Sequence, residues 1–224
     1  MSTISRGISV TLLRIDSSIL GPHSASRELG DLVQEHWTQE HGDSAVVTRD
    51  FAANPIPATY WGAAVSAGQT PEQLRTDEQK AAAALAGQLA DELRNAETVI
   101  IATGFYNFGV NQFLKSWIDL IFTAVAQGDQ ILKGKDIALC VARGGYYGDD
   151  GPRAGWDHGT PWLVRVLSEA WGGNVTVVER DFTLVGVNPA LDQFKEQGAA
   201  LREAAYDKSR LTGKELASAY AARK

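Results

Sequence analysis

Five short apolar runs, each followed by a longer stretch of helical character, constrain this 224-residue chain more than any other feature. The runs are Ile8–Ile15, Ala45–Phe51, Thr98–Thr103, Asp136–Ala142 and Val175–Phe182. The helical stretches are Ser24–His41, Pro71–Asn95, Asn111–Gln127, Pro161–Trp171 and Pro189–Lys208. Strict alternation of strand and helix calls for an α/β fold. Its sheet is parallel and covered on both faces by right-handed crossovers. In such a sheet, ligands bind beyond the carboxyl ends of the strands.

The helical periods support this division. Leu29, Leu32, Val33, His36 and Trp37 recur at i, i+3, i+4, i+7 and i+8. Ala81-Ala82-Ala83-Ala84 lies among strong helix formers. Pro161 suits a first helical turn and Gly172-Gly173 a helix stop. Phe113, Leu114, Trp117, Ile118, Ile121, Phe122 and Val125 make an apolar face wide enough for both a sheet and a second subunit. The Pro/Gly/Ala-rich stretch 52–70 has no clear period and reads as a long loop. With 44% hydrophobic residues, one core and one domain over 1–208 are expected. The polar stretch 209–224 reads as a tail, either a frayed helix or a disordered arm.

Three loops follow strands directly. The first is Asp16-Ser17-Ser18-Ile19-Leu20-Gly21-Pro22-His23-Ser24-Ala25-Ser26. A strand, a Ser/Gly loop and a helix start can cradle a phosphate through hydroxyls and free backbone N–H groups. The same residues also suit an ordinary serine cap. The second loop is Gly104-Phe105-Tyr106-Asn107-Phe108-Gly109, and the third is Arg143-Gly144-Gly145-Tyr146-Tyr147-Gly148.

Taken together, these stretches resemble the FMN-dependent NADH:quinone oxidoreductases called azoreductases. Ser17-Ser18-Ile19-Leu20 with Ser24-Ala25-Ser26 resembles the family's phosphate loop. Tyr106-Asn107-Phe108, followed by Leu114-Lys115-Ser116-Trp117-Ile118-Asp119, resembles its Tyr-Asn-Phe loop and helix, and Arg143-Gly144-Gly145 its Ser-Arg-Gly-Gly loop. Asn54-Pro55-Ile56-Pro57 is also similar. The resemblance runs from Ile8 to Leu201 and implies a flavodoxin-like fold with five parallel strands in the order 2-1-3-4-5. It implies FMN as cofactor, held by Ser18, Ser24, Ala25, Ser26, Phe105, Tyr106, Asn107, Phe108, Ala142, Arg143, Gly144 and Gly145. It further implies NADH or NADPH as hydride donor, a quinone or azo aromatic acceptor, ping-pong transfer at one flavin face, and a homodimer. Departures are Gly104 where the family commonly has Pro, Phe105 for Met, and Ala142 for Ser. Asp16 also adds a negative charge beside the phosphate site.

The segment Tyr146–Gly159 reads as a lid, and Tyr146 and His158 are its candidate catalytic side chains. His158 has two readings: proton donor to a reduced acceptor, or a loop histidine with a structural bond. Arg143 has two as well: a positive charge toward the flavin, or a surface ion pair. His23 could pair with phosphate. His36 and His41 are five apart, which does not suit a same-face metal pair, so no metal is expected. Cys140, the only cysteine, reads as core packing. A net charge of −6 without a basic cluster argues against nucleic acid. The polar start and the lack of any apolar stretch near ~20 residues argue against a membrane span and for a cytoplasmic protein. Two other functions compete with the quinone or azo reductase. One is a flavoenzyme reducing or rearranging a single aromatic, N–N or N–O metabolite. The other is a flavodoxin-type electron carrier.

Overall fold

The computed structural model describes residues 12–41 and 46–223. Residues 8–11 of the first expected strand and the start of the second lie outside them. The strands are β1 (Leu12–Asp16), β2 (Val46–Asp50), β3 (Thr98–Tyr106), β4 (Gly109–Val110), β5 (Asp136–Arg143) and β6 (Asn174–Arg180). The helices are α1 (Ala25–His41), α2 (Tyr60–Gln69), α3 (Asp77–Asn95), α4 (Gln112–Phe122), α5 (Thr160–Val164, continued as a π-helical turn over Arg165–Ala170) and α6 (Lys195–Ala222). The sheet order is β2-β1-β3-β5-β6, all parallel; β4 pairs antiparallel with the end of β3. With that short hairpin set aside, this is the expected flavodoxin-like order.

Side chains alternate between the two sheet faces, as the period of two requires. Leu12, Ile100, Ala102, Ala138, Cys140 and Val178 pack against Leu29, Val33 and Trp37 of α1 and Ala205, Leu216 and Ala217 of α6. Leu13, Ile15, Val99, Ile101, Ile137 and Leu139 pack against α3, α4 and α5 on the other face. Both faces of the central strands are covered, which is why their sequence reads as unbroken apolar runs. Burial pushes the Cys140 thiol up to about 12, in keeping with a packing role. Among the described residues no helix is long and apolar enough to cross a membrane.

Three expectations are corrected. The stretch 52–70 is not a bare loop: it contains α2, whose Ala64 and Ala67 are buried. Small residues carry that packing, and they leave almost no hydrophobic period to read. The wide face of α4 is used within the chain. Leu114, Trp117, Ile118 and Ile121 are buried, with Trp117 against the rings of Phe51 and Trp171. Only Phe122 of that face is largely exposed, so the width of the face calls for no partner.

The stretch 209–224 is no separate tail, because α6 runs through the expected boundary at 208. Ser209, Thr212, Gly213, Leu216, Ala217 and Tyr220 are buried. A Cβ at Gly213 would stand 2.5 Å from the Val33 carbonyl oxygen, so glycine there lets α6 lie directly on α1. Leu216→Ala should therefore lower the unfolding free energy by about 2–5 kcal/mol in urea titration. An unpacked arm would show no change.

Candidate functional site

The parallel register brings the three loops to one edge. Asp16 pairs with Ala102, Gly104 with Ala142, and Phe105 with Arg143. At the base of the first loop lies a buried charge cluster. Arg14 and Asp16 are two apart in β1 and share a face, with Arg14 Nε donating to Asp16 Oδ1 at 2.9 Å. Arg14 also donates to Asp31 at 3.0 Å, Gln34 at 3.3 Å and the Arg27 carbonyl at 3.2 Å. Arg27 lies 3.7 Å from the second Asp16 oxygen and binds Asp50 at 2.7 Å. Burial raises the Asp16 pKa above its ordinary value, and Arg14 works against that rise. Asp16 is thus a paired charge rather than a lone one facing an anion site.

Above this cluster, Ser17, Ser18, Ser24 and Ser26 are all buried. The Ser24 and Ser26 hydroxyls are 2.9 Å apart. Their mutual bond uses one of two hydroxyl protons and leaves the other to donate. Ala25 and Ser26 begin the 17-residue α1, whose first N–H groups face the loop. This donor set fits a phosphorylated cofactor. His23 is exposed in the short turn Gly21–His23 just before.

The second loop is a two-residue hairpin between β3 and β4. Asn107 and Phe108 take φ of 50° and 67°, the left-handed pair that such a tight turn demands. Non-glycine residues there cost roughly 1–3 kcal/mol each, strain that typically gathers at functional sites. Phe105 is buried and meets Tyr147 edge-on at 5.0 Å. Phe108 is partly exposed and meets Trp156 at 5.4 Å. Tyr106 reaches back to the first loop, its hydroxyl 2.8 Å from Ser18 Oγ and 3.2 Å from the Ile19 N–H nitrogen. Asn111 is a residue the sequence reading passed over. Its oxygen accepts the Phe113 and Leu114 N–H groups that begin α4, while its amide donates to Thr103, the Gly104 carbonyl and Ser17. One side chain thereby locks α4, the end of β3 and the first loop together. Its signal was present: an asparagine just before a helical pattern.

At the third loop, Arg143 is neither free to meet a flavin nor a surface ion pair. It is buried and binds Asp157, Glu179 and Asp181. Burial opposes its charge, but Asp181 and Glu179 outweigh that and hold its pKa above the ordinary value. Asp181 also accepts the Tyr147 N–H at 2.9 Å, and Asp157 accepts those of Gly159 and Thr160. Arg143 is therefore the anchor of the segment 146–159. Burial would raise the Asp157 pKa; its bonds from Thr160 and Arg143 overcome this and lower it.

The two lid candidates separate. His158 is exposed, and its backbone N–H donates to the Phe108 carbonyl at 3.1 Å, which ties it to the hairpin. Tyr146 turns away from the hairpin. It stacks on Phe182 at 5.4 Å, donates to Asp150 at 2.6 Å and lines a cavity of about 360 Å³ with Arg153 and Phe194. Its neighbour Tyr147 is the tyrosine that meets Phe105. Ala142, Gly144 and Gly145 lie at the end of β5, and the carbonyls of both glycines accept N–H groups of Leu184 and Phe182.

Residues 11–211 match a family described as having a flavodoxin-like fold. The chain is 33% identical over 204 residues to an FMN-dependent NADH:quinone oxidoreductase of Parafrankia sp. (strain EAN1pec), spanning 89% of this chain and 96% of that one. It is 32% identical over 216 residues to a protein of the same name from Streptomyces avermitilis, spanning 95% and 99%. In fold it is similar to an FMN-dependent NADH-azoreductase from Bacillus anthracis str. Ames Ancestor in complex with FMN, with a TM-score of 0.73 at 16% identity, covering 92% of this chain and 99% of that one.

Arg143→Met should leave three carboxylates facing one another and cost about 3–5 kcal/mol of stability at neutral pH. The deficit should shrink as pH falls through the acid range. Asp157's lowered pKa represents stability present above the unfolded-state pKa and lost as the carboxylate protonates. Urea titrations of both proteins across pH would measure this.

Proposed function

The chain belongs to the FMN-dependent NADH:quinone oxidoreductase family, and from that membership we propose that it is an FMN-dependent NAD(P)H oxidoreductase reducing quinones or azo aromatic compounds. The observation that carries the reading is the serine cradle at the start of α1, set over a charge cluster in which Asp16 is paired with Arg14 and Arg27. When bound, FMN supplies hydride chemistry between a nicotinamide donor and an aromatic acceptor.

The chain's own part is to bind, orient and enclose. Ser18, Ser24, Ala25 and Ser26 would hold the phosphate through hydroxyls and helix N–H groups. Phe105, Asn107 and Phe108 would form the surface beside the ring system. Ala142, Gly144 and Gly145, at the end of β5, would border its polar edge, and the glycine N–H groups would favour negative charge there. Arg143, whose guanidinium is held by Asp157, Glu179 and Asp181, would act through the lid that it anchors. Tyr147, Phe108 and Trp156 supply apolar walls for a planar acceptor. His158, exposed beside them, is the group positioned to give a proton to a reduced acceptor.

The purified protein supplied with FMN should oxidise NADH or NADPH continuously with menadione as acceptor. Absence of turnover with either donor, in protein shown to hold FMN, would sink the enzyme reading. His158→Ala should leave flavin bleaching by the donor nearly intact in stopped flow and slow mainly its reoxidation by acceptor.

The working unit we propose is a homodimer. The support is a set of exposed apolar side chains in the loops beyond the strand ends: Ile19, Leu20, Phe108 and Trp156. A two-fold contact would bury such a patch and wall the pocket. Light scattering at micromolar concentration should give about twice the chain mass. A monomer with full turnover would contradict this.

A further inference from the structure

We propose that the Gly104–Tyr106 pair sets how tightly this chain holds its cofactor, with the Tyr106 phenol competing for the phosphate cradle. The proposal rests on the FMN reading above. Tyr106 closes β3, and Gly104 lies two residues before it, so both belong to the same face of the strand. The Tyr106 ring folds back over Gly104. A Cβ at Gly104 would stand 2.3 Å from the phenol oxygen and 2.4 Å from Cζ. No side chain longer than hydrogen at 104 admits this position of the tyrosine.

The place the ring reaches is occupied at a polar level too. Its hydroxyl meets Ser18 Oγ at 2.8 Å and the Ile19 nitrogen at 3.2 Å. Ser18 is buried, and its hydroxyl and the Ile19 N–H are two of the groups that the β1–α1 loop offers to an anion. The phenol therefore occupies the Ile19 N–H and the Ser18 hydroxyl, which a phosphorylated ligand would otherwise take. Asn107 and Phe108 fix the hairpin just beyond, so the tyrosine leaves by side-chain rotation and the strand stays in place. A ligand that needs Ser18 binds only the fraction of molecules in which Tyr106 has turned out. Its apparent affinity falls by that fraction.

FMN titration by fluorescence quenching, with wild type, Tyr106→Phe and Gly104→Ala, tests this. Tyr106→Phe removes the two hydrogen bonds that hold the ring in, and Gly104→Ala excludes the ring from its place. Each should raise FMN affinity by roughly tenfold. Unchanged or weaker binding in Tyr106→Phe would overturn the proposal and make the phenol a ligand of the phosphate. Because Gly104→Ala could disturb the strand, its thermal melt without FMN is compared with wild type, while Tyr106→Phe leaves the backbone untouched. If wild type binds FMN and turns over NADH but neither variant gains affinity, the tyrosine proposal alone fails. If none of the three proteins binds FMN, the functional reading fails with it.

Discussion

The buried guanidinium of Arg14 is the interaction on which the site depends. It stands in the middle of the sheet face that α1 covers, at 2% exposure, where a charge is tolerated only if paired and hydrogen-bonded. Asp16, Asp31, Gln34 and the Arg27 carbonyl meet it. The helix makes room for it with a glycine: a Cβ at Gly30 would lie 2.7 Å from Arg14 Cζ. The same cluster ties α1 to β1 and pairs the carboxylate at the strand's end with Arg14 and Arg27. A loop that offers serine hydroxyls and helix N–H groups to an anion can therefore sit directly above an aspartate.

A second buried arginine does the corresponding work at the far side of the cleft. Arg143 gathers Asp157, Glu179 and Asp181, and through them sets the starts of the lid and of α5. Between the two clusters, Asn111 joins the first loop to the β3 hairpin and α4. The three loops at this edge are each held from below by polar side chains: Arg14, Asn111 and Arg143.

Much of this fold could be read from sequence because the buried strands are long apolar runs and α1 has a clear period; α3 begins at Asp77, behind its Thr76 cap, rather than at the expected Pro71. The three loops could be placed because each follows such a run. What escaped had weaker signals. α2 packs through alanines, too small to mark a face, and at the end of α6 only Leu216 and Tyr220 stand out among buried Ser209, Thr212, Gly213 and Ala217. The width of the α4 face suggested a partner, but Trp171 and Phe51 cover its centre from within the same chain. The partners of Arg143 lie 14 to 38 residues away, a distance over which spacing carries no information. Tyr146 and Tyr147 are indistinguishable in sequence. Only the backbone settles that Tyr147 faces Phe105 and Tyr146 faces Phe182.

The central claim is that the serine loop at the start of α1 holds the phosphate of FMN. The most direct measurement compares the affinity of the protein for FMN with that for riboflavin, which lacks the phosphate and shares the ring. Two charge-assisted hydrogen bonds from the cradle predict at least about a hundredfold preference for FMN. Equal affinities would contradict the account, since the cradle would then contribute nothing to holding the cofactor.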